Sequence, residues 1–136
     1  VQCKEVEELV RNSDIICTTT HSNTTVLPDD NELLRGKCII AIGSYMPEMR
    51  EIPDAVLDLV DNVYIELPYA CEESGDLSQP LASGKLTKDR VKLMHEYLVS
   101  GEKEIKEGQT TYFKSVGMGL FDVCIAQKLY EVAKEK

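Results

Sequence analysis

Four stretches of the chain, 15–20, 37–42, 62–67 and 110–115, are runs of β-branched, aromatic and other apolar residues. Ile15-Ile16-Cys17 and Cys38-Ile39-Ile40-Ala41-Ile42 lack the alternation of a sheet with one wet face, so they read as strands covered on both faces of a parallel sheet. Between the runs, apolar residues recur at helical spacing. Cys3, Val6, Leu9 and Val10 mark a short amphipathic helix over 3–11, ended by Asn12-Ser13-Asp14. Further helices are predicted over 53–60, where proline sits early, over 68–74, 88–99 and 120–134. The stretches 75–88 and 100–108 read as loops. Strands alternating with helices or short turns imply an open, mostly parallel α/β sheet.

The final helix adds a constraint. Leu120, Phe121, Val123, Cys124, Ala126, Leu129, Tyr130 and Val132 are spread around most of its circumference, so it is expected to bury against more than this chain offers.

A chain of 136 residues with 43% hydrophobic content supports one domain and is short for a two-domain enzyme. It begins at Val1 with no leader pattern, and is expected to start mid-protein. A net charge of -9 without a run of Lys or Arg argues against nucleic acid as a partner. No apolar stretch approaches the roughly 18 residues of a membrane span. Five cysteines, at 3, 17, 38, 71 and 124, form no CxxC pair and sit mostly in apolar runs. They read as reduced core residues of a cytoplasmic protein, with neither a disulfide frame nor a metal site. Cys17 and Cys38 are accordingly expected to pack in the core. Glu72, Glu73 and Asp76 read as a helix end and its solvated loop, and His95 as surface.

In sheets of this kind ligands bind outside the carboxyl ends of the strands. Three of those ends carry small or polar residues: Thr18-Thr19-Thr20-His21, Gly43-Ser44-Tyr45-Met46-Pro47 and Ser115-Val116-Gly117-Met118-Gly119. Glycines admit a flat ring or sugar close to the backbone, and the hydroxyls of Thr20, Ser44 and Ser115 can meet its polar edges. The same residues are also what ordinary turns contain, and residue chemistry leaves both readings open. His21 is open in the same way, as ligand contact or polar surface. Leu67-Pro68-Tyr69, after the third run, lacks this character and reads as structural.

Four motifs in order resemble the ornithine cyclodeaminase and mu-crystallin family: Asp14-Ile15-Ile16 leading to Thr18-x-Thr20; the run from Ala41-Ile42-Gly43 through Pro47 to Arg50-Glu51-Ile52; Ser74-Gly75-Asp76; and Phe113-Lys114-Ser115-Val116-Gly117 with Asp122 following. The resemblance covers almost the whole chain. It implies a three-layer, Rossmann-like half-domain over 1–136, the C-terminal part of an NAD(P)-binding domain, with 120–136 returning toward a substrate and dimerisation domain. Thr20, Ile42, Gly43, Ser44 and Ser115 would line the nicotinamide of NAD or NADP, and Val116 would face an amino or imino acid. The phosphate-binding glycine turn, the residue selecting NAD or NADP, and the basic groups gripping the substrate would lie before Val1. A homodimer is implied for the intact protein.

Tyr45 stands where ornithine cyclodeaminases place a catalytic Asp, and Met49 where they have a cofactor-contacting Lys. A phenol releases a proton far less readily than a carboxylic acid, which argues against ornithine cyclisation and leaves hydride transfer to or from an amino or imino acid. The alternative expectation is a non-catalytic binding protein of the same fold.

Overall fold

The computed structural model describes residues 2–100 and 105–134. Helix α1 (Val6–Arg11) leads into strand β1 (Ile15–Thr18), and α2 (Asn31–Leu34) into β2 (Cys38–Ala41). Helix α3 (Asp54–Leu59) follows, then β3 (Val63–Ile65) and α4 (Ala70–Glu73). Next come α5 (Gly75–Ser83), a 3-10 turn at Lys88–Arg90, β4 (Val91–Leu93) and α6 (Met94–Ser100). Strand β5 (Thr111–Lys114) and the long helix α7 (Gly119–Lys134) end the described chain.

All pairings are parallel, in the order β1-β2-β5-β3-β4. The last strand in sequence is thus the central one, with Ile40 opposite Phe113 on one side and Tyr64 opposite Phe113 on the other. Parallel order brings all five carboxyl ends to one edge of the sheet, where the loops that follow β1, β2, β3 and β5 meet. The ladder continues past the strands: Ile42 N–H donates to the Thr18 carbonyl at 2.9 Å, and Ser115 N–H to the Ala41 carbonyl at 3.0 Å.

Several expectations are corrected. The stretch 75–88 is not a loop throughout, because α5 occupies its first part. Ser74 caps it by accepting the Asp76 N–H at 3.3 Å, and Leu77 and Pro80 turn into the core while Gly84 ends it in the left-handed conformation. The expected helix over 88–99 is split, and its middle pairs with β3, Val63 opposite Val91 and Ile65 opposite Leu93. A strand edge in need of a partner outweighs local helical spacing there. Strand β1 is not covered on both faces: Ile16 and Thr18 are buried while Ile15 is 66% exposed and Cys17 is exposed. Of the five free cysteines, Cys71 is partly buried and packs against the core, Cys3 and Cys38 are half-buried, and Cys17 and Cys124 are exposed, so the expected core place of Cys17 is wrong. His95 is exposed, as expected.

The core lies where the inward positions of the sheet meet the helices, around Ile16, Leu34, Ile39, Val56, Val63, Leu77 and Tyr112. No described helix is long and apolar enough to cross a membrane.

Candidate functional site at the strand ends

Charged residues at inward positions of a sheet need partners, and here they have them. Tyr112 and Lys114 share the buried face of β5, and both are 0% exposed. Lys114 Nζ lies 3.4 Å from Asp76 Oδ2 at the start of α5. Asp76, expected in a solvated loop, is 1% exposed. Its Oδ1 accepts the N–H groups of Glu51 at 2.7 Å and Ile52 at 2.9 Å. Burial pushes the Asp76 carboxyl up, against the lowering effects of the Ile52 N–H and of Lys114. Burial likewise pushes the Lys114 ammonium down, against Asp76.

Glu51, held at its backbone by Asp76, turns its fully buried carboxylate to the ends of β1 and β2. One oxygen accepts the N–H of Thr20 at 2.6 Å and its hydroxyl at 2.7 Å. The other accepts the Thr18 hydroxyl at 2.9 Å and the N–H groups of Gly43 at 2.8 Å and Ser44 at 3.3 Å. Burial alone would raise this carboxyl, but the hydrogen bonds from Thr20, Thr18 and Gly43 outweigh it and hold it below its ordinary value.

Gly43 is required by the same close packing, since a Cβ there would stand 2.2 Å from the Thr20 carbonyl oxygen. Gly75 is its counterpart in the next layer, where a Cβ would stand 2.1 Å from the Met49 carbonyl oxygen. Ser44 is fully buried, and its hydroxyl donates to the Met49 carbonyl at 2.8 Å while lying 2.8 Å from the Ser74 hydroxyl.

A second carboxylate does for β3 and β5 what Glu51 does for β1 and β2. Glu66 Oε1 accepts the Ser115 hydroxyl at 2.9 Å and the N–H groups of Val116 at 2.6 Å and Gly117 at 3.1 Å. Its Oε2 is buried with no hydrogen-bond partner among the described residues.

The sequence-predicted residues are therefore gathered as two groups, Thr20, Gly43 and Ser44 around Glu51, and Ser115 and Val116 around Glu66. Ile42 continues β2 between them, 36% exposed. Thr20 is exposed, Val116 half-buried, and Met49 buried. Tyr45, 46% exposed, sets its hydroxyl 3.4 Å from His21 Nδ1 at the rim.

Sequence reasoning assigned no role to Glu51, Glu66 or Lys114, and took Asp76 for solvent-facing. The available signal was Lys114 itself, a cation closing an apolar strand, which demands a buried anion elsewhere. A cavity of about 610 Å³ lies beside β3 and β4, between Ile65, Cys71, Leu81, Val91 and Leu93.

The model describing the ornithine cyclodeaminase/mu-crystallin family matches residues 1–136. The chain is 35% identical over 136 residues to a Delta(1)-pyrroline-2-carboxylate reductase of Bacillus cereus, covering 98% of this chain and 41% of that protein. Among solved structures it resembles a probable ornithine cyclodeaminase from Bordetella pertussis, with TM-score 0.77 and 28% identity over 96% of this chain and 42% of that one. The fold is shared with the Thermococcus litoralis Delta(1)-pyrroline-2-carboxylate reductase, solved with NADH and L-proline, at TM-score 0.77 and 23% identity over 95% of this chain and 40% of that one. The chain thus spans about two fifths of the length of these proteins.

Proposed function

The chain belongs to the ornithine cyclodeaminase/mu-crystallin family, and from that premise we propose that it forms the C-terminal part, 1–136, of the NAD(P)-binding domain of an oxidoreductase acting on an imino or amino acid. In this reading Thr20, Ile42, Gly43 and Ser115 form the nicotinamide side of the crevice and Val116 faces the substrate, while Ser44, expected beside them, is fully buried with its hydroxyl held by the Met49 carbonyl and supports the turn from behind. The observation that carries it is the pair of buried carboxylates, Glu51 and Glu66, which draw the ends of four strands into one surface.

The residues present fit a nicotinamide. Ile42 and Val116 offer partly exposed apolar surface to a flat ring, and an added Cβ at Gly117 or Gly119 would meet nothing within 4 Å. Thr20 already gives its hydroxyl proton to Glu51, so toward a ligand its oxygen is an acceptor, suited to a carboxamide N–H. Ser115 likewise gives its hydroxyl proton to Glu66, and its oxygen accepts the Gly117 N–H at 3.1 Å.

The bound cofactor supplies or takes up the hydride. The chain's part is to hold the ring's face and edge, to exclude water with Ile42 and Val116, and to hold a proton at the rim. Tyr45 and His21, hydrogen-bonded and exposed, are the groups placed for the last task. The intact protein is proposed to be a cytoplasmic homodimer, a setting consistent with five unpaired cysteines and with the apolar surface of α7.

Tyr45 in place of a carboxylate favours one second reading, a protein that binds the cofactor without turnover. The deciding experiment titrates the intact protein with NADH and NADPH by cofactor fluorescence, then adds a cyclic imino acid such as Δ1-pyrroline-2-carboxylate. Cofactor oxidation supports the reductase, and binding without oxidation supports the second reading. Failure to bind either cofactor would overturn both.

A further inference from the structure

Two carboxylates stand directly behind the residues that face the crevice. Glu51 is bonded to Thr20, Gly43 and Ser44, and Glu66 to Ser115, Val116 and Gly117. Among the described residues neither is matched by a cation of its own. Lys114 is the buried cation of this region, and its ion-pair partner is Asp76. That pair sums to zero charge whether the proton sits on nitrogen or on oxygen. Glu66 Oε1 accepts three donors, and its Oε2 is enclosed without one. Five hydrogen bonds keep Glu51 ionised. Three buried carboxylates, Asp76, Glu51 and Glu66, thus share the one buried cation Lys114 among the described residues, so that negative charge is left one residue behind the surface, where the low effective dielectric lets it act over several ångströms.

We infer that Glu51 and Glu66 set the redox-state preference of the site, holding the positively charged oxidised nicotinamide more tightly relative to the neutral reduced ring. The inference rests on the reading that this crevice holds a nicotinamide. Residue lining alone would treat the two rings alike, since they share their shape and carboxamide.

The test uses the intact protein and compares the dissociation constants of NAD+ and NADH by calorimetry. In Glu66→Gln the amide nitrogen can take the Oε2 position, so Oε1 keeps its three donors while the charge is removed. The ratio Kd(NADH)/Kd(NAD+) is expected to fall about fivefold to tenfold in Glu66→Gln. In Glu66→Asp, which keeps the charge and shifts the geometry, it is expected to stay near the wild-type ratio even if both affinities drop. Glu51→Gln is expected to move the ratio in the same direction and serves where Glu66→Gln does not fold. Equal loss of both affinities in the Gln variants, as a merely structural role would produce, overturns the inference and leaves the nicotinamide reading standing. Wild-type protein that binds neither form overturns that reading, and the inference with it.

Discussion

A carboxylate ringed by five donors is a structural anion, and Glu51 behaves as one. Removing it strands the hydroxyls of Thr18 and Thr20 and the N–H groups of Thr20 and Ser44, so Glu51→Ala is expected to cost about 3–5 kcal/mol in urea unfolding. The folded state holds the Glu51 proton less readily than the unfolded chain, so the stabilisation is complete above its ordinary value of 4.5 and is lost as pH falls below it. The stability gap between wild type and Glu51→Gln should therefore narrow below about that pH, and a gap that stays constant would contradict this account. Lys114 behaves differently because its charge is matched. Lys114→Met leaves Asp76 buried without its cation and is expected to cost about 3–5 kcal/mol, while adding Asp76→Asn should recover part of the loss. Simple additivity of the two would show that the pair is not coupled.

At the scale of elements, the order of the strands decides which are rigid. β5 is paired on both sides, whereas β1 and β4 are the edges of the described sheet. Amide exchange should accordingly be slowest at Tyr112, Phe113 and Lys114 and faster in β1 and β4, and protection greatest in β1 would refute the topology. The four expected strands are all present, because runs such as Cys38-Ile39-Ile40 carry their propensity locally. β4 was hidden, because three residues following a turn and leading into a helix look helical until β3 is beside them. α5 was hidden for a related reason: its Gly, Ser and Pro content suggests a loop, and only the Ser74 cap and the buried Leu77 make it a helix.

For the whole molecule, the apolar surface of α7 is the dominant exposed feature, with Leu129 66% and Val123 63% exposed. Replacing both by Lys should reduce self-association of this chain in sedimentation experiments, and undiminished association would place the contact elsewhere. On the proposed function, NADH at about 100 times its dissociation constant should stabilise the intact protein by about 2.7 kcal/mol, visible as a raised melting temperature.

The sequence by itself determined the family, the parallel α/β class and the strand ends at which chemistry is expected. These follow from residue type and period, which are local. Only the tertiary structure decided that β5 is central, that β1 leaves one face open, and that Glu51, Glu66, Asp76 and Lys114 hold the strand ends together. Apart from the bonds of Glu51 to Gly43 and Ser44, 8 and 7 positions away, those contacts join residues 24 to 51 positions apart. A carboxylate's burial depends on donors that far away along the chain, so a glutamate meant for solvent and one meant for the interior are written with the same letter.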